Sequence, residues 1–207
     1  MRKLIIATRN RHKTGEMAAI LGPEWLVEDL SAHPDLPEPE ENGTSFEENA
    51  VIKALAASQA LAGLVLADDS GLEVDLLGGA PGIRSARYAG HKATDQQNRH
   101  RLLAELALVG HAVEEPVAAR FRCSIALAKA AHALATFSGS VEGRIVMVES
   151  GSGGFGYDPL FIPDGYSETF AELDAATKNQ LSHRGRAVKL AVEWLERNYS
   201  IGHKTAS

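Results

Sequence analysis

The chain has a single cysteine, Cys123, among 207 residues, which excludes an intrachain disulfide and any thiolate metal cluster. That cysteine lies in an alternating apolar stretch, where a thiol packs as a small hydrophobe. No apolar run reaches membrane-spanning length, and the first residues lack the apolar core of a secretory signal. Positive charge is not in excess either. The formal net charge is -6, which disfavours non-specific binding to nucleic acid or to an acidic membrane. An anionic ligand would therefore need a local cluster of cations. The eight histidines form no HxxxH or HExxH pair, which argues against zinc, and the GxxxxGK[ST] pattern of a Walker A loop is missing. Internal repeats, linkers and low-complexity segments are also lacking. What remains is 44% hydrophobic and 23% charged, an ordinary globular composition with enough chain for one core, expected in the cytoplasm.

The richest stretch runs from Leu64 to Gly90. Leu64 to Ala67 has the composition of a buried strand, and the run is expected to end on two adjacent carboxylates, Asp68 and Asp69. Acids at the carboxyl end of a strand sit where open α/β sheets place their ligands. Ser70-Gly71, the glycine-rich Gly78 to Gly82 and the cations Arg84 and Arg87 follow. Acids suit a divalent cation, glycines allow close backbone approach and arginines suit anions, so the stretch points to phosphate chemistry. The same Asp, Ser and Gly residues would also serve an ordinary solvated turn. In an extended chain, neighbours face opposite ways, so both acids should line one cleft only if the strand has already ended.

Earlier in the chain, Leu4 to Ala7 reads as a strand, and Thr8 to Lys13 lead into an amphipathic helix through about Leu21. Such a strand–loop–helix start can offer backbone N–H groups to a phosphate, with Thr8 and Asn10 equally suited to capping the helix. A proline-rich acidic loop over residues 33–44 delivers Glu40 and Glu41 to a helix that opens with overlapping capping boxes at Thr44 and Ser45 and runs to about Ala62. Asn49 and Lys53 share one side of it. A helix over Asp95 to Leu108, a loop at residues 110–117 and a hairpin follow. The hairpin is expected to pair Arg120–Leu127 with Leu134–Val148 through a turn near Ala130 to His132, with Gly139 and Gly143 marking bends or bulges. The loop Gly151-Ser152-Gly153-Gly154-Phe155-Gly156-Tyr157-Asp158 could bring backbone close to a flat ligand, with Phe155 to stack on it and Asp158 to hydrogen-bond it. Lys178 and the Ser182-His183-Arg184 start of a last helix, through about Arg197, complete the chain before a frayed tail from Ser200.

Six segments taken in order, ATRNRHK (7–13), EENGTSFEENAVIKA (40–54), ADDSGLEVDLLGGAPGIRSARYAG (67–90), GGFGYDPLF (153–161), TFAEL (169–173) and KNQLSHRGRA (178–187), resemble the inosine/xanthosine triphosphate pyrophosphatase family. The resemblance implies an α/β fold with a long, bent, mixed sheet flanked by helices, two lobes around a central cleft within residues 1–199, and a homodimer. It implies hydrolysis of purine nucleoside triphosphates to the monophosphate and pyrophosphate with Mg²⁺. By that match Asp69 is the proton acceptor and lies beside the metal, and Lys53 lies near the phosphates. Glu40 stands at the other metal position with Glu41 next to it, and Asp68 is a further acid for the metal. Thr8, Arg9, Asn10, Arg11, His12 and Lys13 match the triphosphate segment, and Ser70 a substrate contact. Phe155, Gly156, Tyr157, Asp158, Lys178, His183 and Arg184 match base and nucleotide positions. Arg9 stands where some relatives have glycine. A pyrophosphatase for other modified nucleotides and a non-catalytic nucleotide sensor are the alternative readings.

Overall fold

The computed structural model describes residues 2–110 and 116–199. The expected loop at 110–117 thus falls partly outside the described residues, and the expected tail from Ser200 wholly so.

The chain opens as strand β1 (Arg2–Ile6), helix α1 (Arg11–Leu21) and strand β2 (Trp25–Asp29), a parallel unit in which Arg2 aligns with Trp25. Helix α2 (Phe46–Ala60) is capped by Ser45, whose hydroxyl accepts from Glu48 N–H, and returns the chain to β3 (Leu64–Val74). After a 3-10 segment at Gly82–Arg87 and helix α3 (Asp95–Leu108), the long strands β4 (Val117–Lys129) and β5 (His132–Ile145) form the hairpin. It turns through Ala130 and Ala131, both at positive φ, the two-residue geometry that most often recruits Asn-Gly. A short strand β6 (Phe161–Pro163) and helices α4 (Ala175–Leu181) and α5 (His183–Asn198) finish the fold. The sheet is mixed and curled, in the order β2-β1-β3-β4-β5-β6, with β2, β1 and β3 parallel and the rest antiparallel. The expected α/β class with a bent mixed sheet is thereby borne out.

Strand periodicity sorts the core. Leu64 and Leu66 point, with Ile125 and Leu127, to the face covered by α1 and α5. Val65 and Ala67 point, with Ala126 and Ala128, to the face covered by the alanine side of α2. Farther along the same strands, Leu72, Val74, Phe121 and Val141 join Leu102, Leu106, Phe161 and Phe170 in a third cluster. Two expectations change. β3 does not end at Asp68-Asp69 but continues to Val74, because β4 goes on pairing with it through Asp68–Ile125 and Asp69–Ser124. Gly139 and Gly143 are not bulges; the register slips at Leu127/Ala128 instead. A Cβ on Gly139 would lie 2.3 Å from the His183 carbonyl oxygen, so this glycine lets α5 begin directly against β5.

Candidate active site

β1 is shorter than its neighbour, and that difference makes the site. β1 pairs with β3 only from Leu4–Leu64 to Ile6–Leu66. Between that point and Leu72, whose N–H meets Ser85, no strand covers the edge of β3, and a cavity of about 390 Å³ is lined there by Ala7, Thr8, Asp68, Asp69, Ser70 and Gly71. Adjacent strand residues still face opposite ways, as the sequence requires. Both acids nevertheless line one cleft, because a cavity at an exposed strand edge meets both faces.

The two acids differ sharply in environment. On the α1/α5 face, Asp68 Oδ2 meets Lys13 Nζ at 3.0 Å and Arg184 Nη2 at 3.2 Å, and accepts from the Ser70 hydroxyl at 3.2 Å. Burial would raise this carboxyl, but Lys13, Arg184 and Lys53 together hold it far below the usual range. On the α2 face, Asp69 takes Lys53 Nζ at 2.8 Å and the Asn49 amide at 3.2 Å. Here burial prevails over Lys53, and the carboxyl is raised. Lys53 also reaches Glu41 at 3.1 Å, whose other oxygen holds Arg87 at 3.0 Å. Burial raises Glu41, and Lys53 and Arg87 more than reverse it, leaving it lowered.

At the other end of the cavity, α4 and α5 supply the cations. Lys178 is buried between Glu16 and Asp158, at 2.6 Å from each. Arg184 is buried between Glu16 at 2.5 Å, Asp68 and Ser70. Both cations lie over the Phe155 ring, at 5.2 and 5.5 Å, and His12 stacks on that ring at 5.4 Å. Asp158 is engaged inside its own loop, accepting from Phe155 N–H at 2.8 Å as well as from Lys178. Burial keeps its pKa raised in spite of Lys178. Tyr157 donates to the Ser85 carbonyl at 2.9 Å, and burial raises its pKa. Gly156, at φ +62, is held by α3, its N–H donating to Asp95 at 2.7 Å and its carbonyl accepting from Arg99 at 2.9 Å. His183 stacks on Phe121 at 4.9 Å and is kept neutral by burial and by Arg184. His183 Nδ1 and Arg184 Nε are buried with no hydrogen-bond partner among the described residues.

Not every sequence candidate joins the cavity lining. Glu40 and Arg11 are exposed and do not line it, and His12 touches it only through Phe155. Glu41, not its neighbour Glu40, faces the acids. Asn10 caps α1 by accepting from the N–H groups of His12 and Lys13, the capping alternative that the sequence left open, so these two amides already have a partner. Arg9 lines the cavity, but its guanidinium is bound to the 33–38 loop. Residues not singled out from the sequence are Glu16, Asp95 and Arg99. Glu16 could have been found from its position one turn after Lys13 on the same helix. Cys123 is buried and its thiol pushed up to about 12, which agrees with a packing role.

A cation position already exists among the acids, since Lys53 Nζ is held between Asp69 and Glu41. Asp68 Oδ1 is buried and has no hydrogen-bond partner among the described residues. Hard carboxylate oxygens of this kind suit Mg²⁺. Among the described residues no group of three His, Cys, Asp or Glu side chains converges on one metal position.

The sequence model of the Ham1 family matches residues 4–194. A dITP/XTP pyrophosphatase of Desulforamulus reducens is 48% identical over 95% of this chain and 97% of its own. One from Geobacter sulfurreducens is 48% identical over 94% and 97%. Among solved structures, a HAM1 protein from Coxiella burnetii superposes with a TM-score of 0.82 at 36% identity, covering 95% of this chain and all of that one. The Staphylococcus aureus Ham1 protein gives 0.81 at 38% identity, covering 95% and 99%.

Proposed function

The chain belongs to the Ham1 family, and from that premise we propose that its cavity hydrolyses noncanonical purine nucleoside triphosphates, those of inosine, deoxyinosine and xanthosine, to the monophosphate and pyrophosphate. It is a nucleoside triphosphate pyrophosphatase, a hydrolase of acid anhydrides. The observation that carries the reading is the pair Asp68–Asp69: adjacent acids on one strand edge, one held as a committed anion and the other with raised proton affinity. Groups pushed apart in this way divide roles within a site.

In this reading water attacks the α-phosphorus, the bond to the bridging oxygen breaks, and pyrophosphate departs. Asp69 takes the proton of the attacking water, and its burial keeps it basic against the pull of Lys53. Lys13 and Lys53 stand ready to neutralise the phosphate chain, exchanging their present carboxylates for phosphate oxygens. Glu41 with Asp68 or Asp69 would hold Mg²⁺, which when bound would supply charge neutralisation at the phosphoryl oxygens. At the far end, Phe155 offers a ring for the base. Arg184 Nε is a buried donor without an acceptor among the described residues, a need that the 6-oxygen of an oxopurine meets and an adenine amino group does not. The wider reading is of a cytoplasmic homodimer, one unit of two lobes around this cleft.

The test is turnover of inosine, xanthosine, adenosine and guanosine triphosphates by the purified protein, with separation of products. Inosine monophosphate and pyrophosphate are expected. Release of orthophosphate with the diphosphate would overturn the reaction, and tight binding with no turnover would make the protein a sensor.

A further inference from the structure

One wall of the cavity is irregular chain. From His33 to Ser45 no residue lies in a helix or strand, yet Leu36, Pro37, Glu38, Pro39 and Glu41 all line the cavity. Pro34, Pro37 and Pro39 have no N–H, so this loop is poor in donors for its own carbonyl groups. Arg9 supplies them. Its Nη2 donates to the carbonyls of Leu36 at 2.5 Å and His33 at 3.2 Å, while Nη1 pairs with Glu38 at 3.0 Å. The Glu38 side chain is 73% exposed, so the ion pair adds little; the two carbonyl bonds are the stronger tie. A planar five-donor fork suits this task, and the Nη2 edge that meets the two carbonyls is not free for phosphate oxygens. Arg9 itself is fixed two residues after Ala7, whose N–H bonds the Leu66 carbonyl at 2.7 Å on the strand that carries the acids.

We propose that Arg9 is a positioning residue, not a phosphate ligand: it pins the 33–41 wall to the end of β1 and so sets the place at which Glu41 meets Lys53. The tie acts across the cavity, from the segment before α1 to a carboxylate three residues beyond Glu38. Its consequence for turnover rests on the hydrolase reading above; the structural claim does not.

The experiment compares the unaltered protein with Arg9→Ala and Arg9→Lys. Amide hydrogen exchange is followed over residues 33–42, and binding of inorganic tripolyphosphate is measured by calorimetry. Arg9→Ala should speed exchange in that loop on the order of tenfold, as a local opening released from two hydrogen bonds. Tripolyphosphate affinity should stay within about twofold, because no phosphate contact is removed. Arg9→Lys, whose ammonium lacks the planar fork, should give an intermediate exchange rate. With inosine triphosphate, Arg9→Ala should lower kcat by roughly tenfold from a misplaced Glu41 and raise the Mg²⁺ concentration for half-maximal rate. Unchanged loop exchange in Arg9→Ala would overturn the proposal, as would a tripolyphosphate affinity weakened tenfold or more. If no nucleotide is hydrolysed, the exchange and tripolyphosphate arms still decide it.

Discussion

Replacing Asp69 by Asn keeps the side chain's shape but removes the carboxylate that Lys53 faces at 2.8 Å and that burial makes basic. Turnover should fall by about 10²–10⁴, the usual cost of losing a general base, while nucleotide affinity changes much less. Near-normal kcat in Asp69→Asn with a dead Asp68→Asn would exchange the two roles. His183 gives a second residue-scale test. Its imidazole is held neutral in the folded protein, well below its ordinary value of 6.5, whereas the unfolded chain takes up the proton below that pH. The unfolded state then binds more protons, so stability is lost as pH falls through about 6.5, by up to ~1.4 kcal/mol per pH unit from this one group. Urea unfolding at pH 7, 6 and 5 should show His183→Gln with a shallower fall than the unaltered protein; parallel curves would refute the assignment. At this scale the sequence was informative about chemistry. Asp68, Asp69, Lys53, Lys178, His183 and Arg184 all line one cavity. It was poor on pairing, because which acid meets which cation depends on parity along β3, and that in turn on where β1 stops.

The glycine-rich loop owes its shape to another element. α3 grips the single residue Gly156 twice, through Asp95 and, four positions on, Arg99, so that one turn of helix holds both the N–H and the carbonyl. Asp95→Ala should loosen the loop that presents Phe155. We expect KM for inosine triphosphate to rise roughly tenfold, the worth of one charge-assisted hydrogen bond of about 1.5 kcal/mol, with kcat little changed. Steady-state kinetics on both parameters checks this, and a loss confined to kcat would place Asp95 in the chemistry instead. Helix starts were legible, boxes less so: Ser45 caps α2 as expected, but the Glu48 carboxylate accepts from Thr44 N–H and not from Ser45, whereas Thr94 and Gln97 close a full box at α3. Short elements were not. β2, β6 and α4 span five, three and seven residues, too few for a period to declare itself. Gly139 was read as a distortion within its own strand, whereas its cause is α5, a helix some forty residues later in the chain.

For the molecule as a whole, the acids and cations nearly balance across the cleft, and a triphosphate entering it upsets that balance. Stripping divalent cations should abolish turnover and added Mg²⁺ should restore it, with Ca²⁺ a poor substitute because it takes looser, longer coordination. Full activity after exhaustive chelation would remove the metal from the scheme. The balance also spans nearly the whole chain. Glu16 meets Lys178 and Arg184 across 162 and 168 residues. A ribosome adding about 5–20 residues per second leaves the first helix waiting on the order of ten seconds for those partners. For most of that interval the nascent chain already holds Asp68, Asp69, Lys13 and Lys53 but lacks Lys178 and Arg184. A chain that stops short of α5 therefore carries both acids without Arg184 beside Asp68.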